Sequence, residues 1–256
     1  LHLIARTAGH NGGASVLVID PKEQVTMIPL KEALSSSIGK KYLMAGSGLA
    51  MVGFVVTHLL GNLQLYLPTG DKFNAYAKGL ADLGPLLWVA EIGLLGVLLL
   101  HVVVAVGLTM QNKAARKGYR TGFVSKGGPS YASLASRNMI VSGVVLLGFL
   151  VLHIAQMKFG LLDAQPVGMV DIKGEQGIDL YSRVVAQFKN PVWVGVYVAV
   201  MLFLGAHLRH GFWSAFQSLG ALNARLEKPA VALGLLTAVV LAAGFLFIPI
   251  FIFVTK

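Results

Sequence analysis

The chain has 256 residues, 55% of them hydrophobic and only 12% charged, with a mean hydropathy of +0.72. Soluble domains carry about twice that share of charge, so an ordinary soluble domain is excluded. The absence of cysteine excludes disulfides, iron–sulfur clusters and thioether-attached haem within this chain.

Residues 1–30 precede the first apolar run. They open on Leu1 and lack the charged start and long apolar core of a signal peptide. The glycines from Gly9 to Gly13 read as loop and Val16–Ile19 as a short strand. The reading taken is an over-extended reading frame with its natural start at Met27; a cytoplasmic arm is the alternative. His2 and His10 carry no argument. Ser35, Ser36 and Ser37 then stand where they can cap a short helix leading into the first span.

Five apolar runs follow, each of roughly 20 or more residues and long enough to cross a bilayer. They cover about 42–67, 84–111, 138–160, 191–210 and 229–254. The expected fold is an all-α membrane protein of five transmembrane helices, one domain over residues 31–256. Pro85, Pro191 and Pro229 open three of the spans, in a first turn where a missing N–H has no helical partner anyway. Trp88 and Trp193 fall near one interface, Tyr42 and Trp213 near the other, at the depth that suits amphipathic rings. Between the third and fourth spans, Val184, Val185 and Phe188 predict a short surface helix over Tyr181–Lys189. Glycines stud the spans, including Gly46, Gly48, Gly53, Gly143 and Gly148. They suit close helix packing and equally leave room for a flat macrocycle. No internal repeat is read, although the first two spans and the next two each form an antiparallel hairpin.

The net charge of +10 is unevenly spread. The connection between the second and third spans holds Lys113, Arg116, Lys117, Arg120, Lys126 and Arg137 with no acid, and Arg209, Arg225 and Lys228 lie on the same side. On the other side Lys72 and Lys78 are balanced by Asp71 and Asp82, and Lys158, Lys173, Arg183 and Lys189 by Asp163, Asp171, Glu175 and Asp179. This is the positive-inside asymmetry of a membrane protein, not a nucleic-acid-binding surface. It puts the N-terminus in the cytoplasm and the C-terminus outside.

Four histidines, His58, His101, His153 and His207, each stand alone in a separate apolar span. An imidazole is costly there unless something uses it, and haem iron is the natural user. At about 1.5 Å of rise per residue, His58 and His153 come out at one outer level and His101 and His207 at one inner level, roughly 6–10 Å apart along the normal. That pairs His58 with His153 and His101 with His207, for two b-type haems in the bundle core. Bis-histidine ligation leaves iron no open position, so such haems carry electrons.

Ser-Ser-Ile-Gly-Lys-Lys-Tyr (36–42), His58-Leu-Leu-Gly-Asn62, Phe73-Asn74-Ala75-Tyr76, Glu91, His101 with Val-Val-Val-Ala-Val-Gly107, and His207-Leu-Arg-His-Gly-Phe-Trp-Ser214 occur in order across this topology. Over residues 31–256 the chain resembles the single-chain, five-helix, di-haem cytochrome b anchors of succinate:quinone oxidoreductases and quinol:fumarate reductases. The resemblance implies a FAD-containing flavoprotein subunit and an iron–sulfur subunit on the cytoplasmic side of a bacterial inner membrane. It also implies a proximal haem on His101 and His207, a distal haem on His58 and His153, and a membrane quinone, menaquinone before ubiquinone. Glu91, the only acid within the spans proper, is the candidate for quinone and proton exchange, with Asn62 and Gln64 as weaker candidates on the same side. His210, one turn past His207, is placed to meet a haem propionate, and Arg209 less directly. Some members carry a glutamate two residues before the histidine of the fourth histidine-bearing span. Gly205 stands there in this chain, which puts a matching proton path in doubt. Two other readings stay open: the cytochrome b subunit of another respiratory dehydrogenase or hydrogenase, and a haem-free proton-coupled transporter.

Overall fold

The computed structural model describes residues 30–115, 139–162, 168–172, 174–221 and 225–256. The expected strand at Val16–Ile19, Met27 and most of the basic connection from Arg116 to Arg137 lie outside the described residues.

A short helix α1 (Leu30–Ser35) leads into α2 (Ser37–Asn62), which tightens into a 3₁₀ turn over Leu63–Tyr66. There follow α3 (Asp71–Ala81), α4 (Pro85–Ala115), α5 (Met139–Met157), a two-stranded antiparallel sheet of β1 (Met169–Ile172) and β2 (Glu175–Ile178), α6 (Leu180–Phe188), α7 (Pro191–Ser218) and α8 (Glu227–Thr255). Five of these helices, α2, α4, α5, α7 and α8, are long and apolar enough to cross a membrane.

Helix ends follow the local chemistry. Ser36 caps α2, its Oγ accepting from the Gly39 N–H at 3.0 Å. Asn190 caps α7 by accepting from Val192 N–H at 2.9 Å, with Pro191 in the first turn. Asp179 caps α6, accepting from Ser182 N–H at 3.1 Å. The cap at Ser36 starts α2 five residues before the expected 42. At the other extreme α7 runs past the expected 210 to Ser218, because a charge at the membrane surface ends an apolar run without ending a helix.

α7 is the central helix and packs against α8, α2 and α5, while α4 leans chiefly on α2. The contact between α7 and α8 is close: a Cβ at Gly205 would come within 3.0 Å of the Ala242 Cβ. Leu59, Tyr197, Leu208, Leu241, Ile248 and Ile252 form the middle of the core. On α4, Trp88, Val89, Ile92, Leu95, Leu99 and Val103 form an exposed apolar stripe at helical spacing, the face a lipid tail would cover.

The end of the bundle where α2 finishes is covered by α3, the hairpin and α6. α6 is the expected surface helix; α3 and the hairpin were not anticipated, so the all-α expectation has one small exception. Asn74 ties this cover together. Its Nδ2 donates to Asp179 at 2.8 Å and its Oδ1 accepts from the Tyr181 N–H at 2.8 Å. Lys256 closes the same end by donating to the carbonyls of Leu67 and Pro68 at 2.8 and 2.9 Å.

Candidate cofactor site: two pairs of histidines

The four span histidines fall at two separate levels of the bundle. Toward the covered end, His58 of α2 and His153 of α5 face each other with ring centres 5.9 Å apart and planes at 85°. Toward the other end, His101 of α4 and His207 of α7 lie within electrostatic reach of one another. His101 touches Ser47 on α2, and eleven residues separate Ser47 from His58. The levels are therefore about 16 Å apart along α2 at the helical rise. That exceeds the expected 6–10 Å, because α2 begins earlier and the inner histidines sit deeper than depths counted from hydropathy boundaries suggest.

The hydrogen bonds favour one tautomer for three of these rings. The Ser47 hydroxyl donates to the Leu43 carbonyl at 2.7 Å and lies 3.1 Å from His101 Nδ1. A serine has one proton and two lone pairs. With the proton on a carbonyl, the Ser47 oxygen accepts from His101 Nδ1–H, and Nε2 keeps its lone pair. The same logic holds at Ser142, whose Oγ donates to the Met139 carbonyl at 3.0 Å and lies 3.0 Å from His207 Nδ1. It holds again at Tyr197, which donates to Gln156 Oε1 at 2.8 Å and lies 3.3 Å from His153 Nδ1. These contacts suit an unprotonated Nε2 on three of the four rings, the tautomer a metal needs. His58 is held by stacking instead, between Phe54 at 5.4 Å and Phe245 at 5.7 Å.

No known family model, curated protein or solved structure matches the chain.

The residues fit a haem. A metal bound to two imidazole nitrogens at about 2 Å each, with the ring centres about 1 Å further out, needs centres about 6 Å apart, close to the observed 5.9 Å. Among the described residues no three metal-ligating side chains cluster. Gly53 and Gly148 each face open space, with nothing within 4 Å of where a Cβ would sit. Trp213 has a buried indole N–H without a partner, and His210 lies beside it at 6.4 Å. That indole is an additional candidate for an acidic group at the inner level, missed because Trp213 reads from sequence as an interface ring.

The remaining candidates are placed as follows. Glu91 is not the isolated buried carboxylate that its span position suggests: both its oxygens lie 2.6 Å from Lys158 Nζ, which also sits 5.4 Å over the Trp88 ring. Asn62 donates back to the His58 carbonyl at 2.8 Å, which steadies the end of α2. Gln64 lies in the 3₁₀ turn beyond it. Arg209 is exposed on α7. Gly205 packs closely on α8, where a Cβ would come within 3.0 Å of the Ala242 Cβ, a tight place for any larger side chain.

A feature of the sequence becomes legible only in this geometry. Residues 47–58, SGLAMVGFVVTH, and 142–153, SGVVLLGFLVLH, align without a gap and coincide at Ser, Gly, Gly, Phe, Val and His. The copies also coincide in space. Each Ser–Gly step receives the histidine of the following span, and each Phe stacks on the histidine one turn later, Phe54 on His58 at 5.4 Å and Phe149 on His153 at 5.6 Å. The expectation of no repeat is therefore corrected. Six unmatched positions between the matches, five of them apolar in both copies, obscure it in the sequence.

Proposed function

We propose that the chain is a di-haem cytochrome b, the membrane anchor of a succinate:quinone oxidoreductase or quinol:fumarate reductase in a bacterial inner membrane. The observation that carries this reading is the pair of levels, His58 facing His153 at one and His101 within electrostatic reach of His207 at the other, with a hydroxyl on Nδ1 of three of the four rings. Haem b supplies one-electron transfer when bound. His101 and His207 hold the proximal group and His58 and His153 the distal one. Trp213 and His210 offer N–H donors to a propionate at the proximal level.

With haem bound at both levels, electrons would pass between an iron–sulfur subunit on the cytoplasmic side and a quinone at the covered end, His101 and His207 holding the inner group and His58 and His153 the outer one. The dicarboxylate chemistry belongs to a FAD-containing partner and not to this chain. At the covered end, Glu91 and Lys158 form a carboxylate–ammonium pair beside Trp88. A quinone reduced there by two electrons takes up two protons, and the Glu91 carboxylate, taking a proton from solvent before passing it on, is the relay assigned to that end.

The test is a reduced-minus-oxidised spectrum of the purified protein with a haem-to-protein ratio. Two b-type haems per chain are expected. His101→Ala or His207→Ala removes the proximal signal first, and His58→Ala or His153→Ala the distal one. A colourless, folded protein would sink the reading and favour a haem-free transporter.

A further inference from the structure

The duplicated segment does more than place two histidines. In both copies the Ser–Gly step forms a cradle for an imidazole from the next span. Ser47 holds His101 Nδ1 at 3.1 Å, and Ser142 holds His207 Nδ1 at 3.0 Å. The following glycines lie against the same rings: a Cβ at Gly48 would sit 3.4 Å from His101 Cε1, and one at Gly143 would sit 3.7 Å from His207 Cε1. Both serines are buried, and both have donated their own proton to a carbonyl of the preceding turn. Each α-hairpin, α2 with α4 and α5 with α7, is thus a copy of one unit that orients its own inner histidine.

We infer that Ser47 and Ser142 are matched positioning residues that hold the two inner histidines in the Nε2-binding tautomer and set the reduction potential of the metal group between them. The inference rests on the haem reading above. An acceptor on Nδ1–H draws that proton away and makes Nε2 a stronger donor, which favours oxidised iron. The outer level is built differently. Only His153 has such an acceptor, at 3.3 Å, while His58 is stacked between phenylalanines. The serines therefore act on the inner group alone. Because the two cradles are equivalent, their effects are similar in size and add.

The experiment is a potentiometric titration of the purified chain and of Ser47→Ala, Ser142→Ala, the double alanine variant and the matching threonine variants, read in the visible spectrum and by electron paramagnetic resonance. Each alanine is expected to lower the oxidised-to-reduced ratio of the inner haem about fivefold at a fixed potential, a rise of about 40 mV at 59 mV per tenfold change for one electron. The double variant gives about twice that shift. Threonine, which keeps the hydroxyl, stays near the parent, and the outer haem does not move. If alanine releases the inner haem, its retention in the threonine variant carries the same conclusion, whereas loss in both variants would show that these positions serve packing only. Two unmoved potentials in an alanine variant that still carries both haems would overturn the serine assignment and leave the haem reading standing. A haem-free parent overturns both.

Discussion

Tyr197 uses one hydroxyl to satisfy two buried groups. It donates to Gln156 Oε1 and accepts from His153 Nδ1, and Gln156 has no exposure at all. Removing that hydroxyl leaves a buried acceptor and a buried donor unpaired, at about 1–3 kcal/mol for each such group. Tyr197→Phe is therefore expected to lower the thermal midpoint in detergent, and Gln156→Leu added to it is expected to recover part of the loss, since deleting both partners is cheaper than deleting one. A double variant worse than the sum of the singles would show that the hydroxyl is not what links these residues. Asp179 makes a second residue-scale case. Burial alone would raise its pKa, but the hydrogen bonds from Ser182 and Asn74 outweigh that and hold it below its ordinary 3.8. A carboxylate whose folded pKa is lowered contributes stability above its unfolded value and loses it as the pH falls through the folded one. Protection of residues 180–188 against hydrogen exchange, corrected for intrinsic rates, is then flat above about pH 4 and declines at more acid pH. Asp179→Asn keeps a good cap and flattens that decline, while Asp179→Ala costs about 1 kcal/mol at neutral pH.

Among the elements, α4 is the one held most lightly, packed mainly on α2 with a long apolar stripe outward. Its charged link to α5 is Glu91 with Lys158. Side-chain exposures of 36% and 46% keep the pair in the surface class, worth about 0–1 kcal/mol. Glu91→Gln is thus expected to leave the thermal midpoint almost unchanged. If Glu91 relays protons to a quinone, the same variant slows quinone reduction about a hundredfold or more, the usual range for losing a general acid or base, while chemical reduction of the proposed haems by dithionite is unchanged. Normal quinone turnover in Glu91→Gln would assign the carboxylate to tethering α4 alone. The elements also differ in how readily the sequence disclosed them. The five spans were legible because uninterrupted apolar runs leave few alternatives, and α6 because Val184, Val185 and Phe188 share a face. α3 was not, since Asp71, Lys72 and Lys78 make it read as a polar loop, and its fold depends on the tertiary partners of Phe73 and Asn74. The hairpin carried only Gly174 as a signal, at φ 88°. Lys158 as the partner of Glu91 was beyond reach, because no local pattern joins residues 67 apart in sequence.

At the scale of the molecule, the two ends of the bundle differ in construction as well as charge. The covered end is closed by α3, the hairpin, α6 and the terminal Lys256, with acids and bases interleaved as in Lys78 with Asp82 and Glu175. The other end carries Lys113 in the last turns of α4 and Arg209 toward the end of α7. A cationic excess is retained on the cytoplasmic side during insertion, so the covered end is expected to face outward and the serine cradles inward, the side on which the proposed electron partner would dock. The chain offers a clean background for testing this, because it contains no cysteine. Lys113→Cys at the end of α4 and Thr69→Cys before α3 both replace residues on connecting or terminal turns. A membrane-impermeant maleimide added to intact spheroplasts is expected to label Thr69→Cys and to spare Lys113→Cys until the membrane is opened; inverted vesicles should give the reverse. The opposite pattern would place the basic connection outside and detach the inner histidine pair from any cytoplasmic partner, whatever the histidines bind.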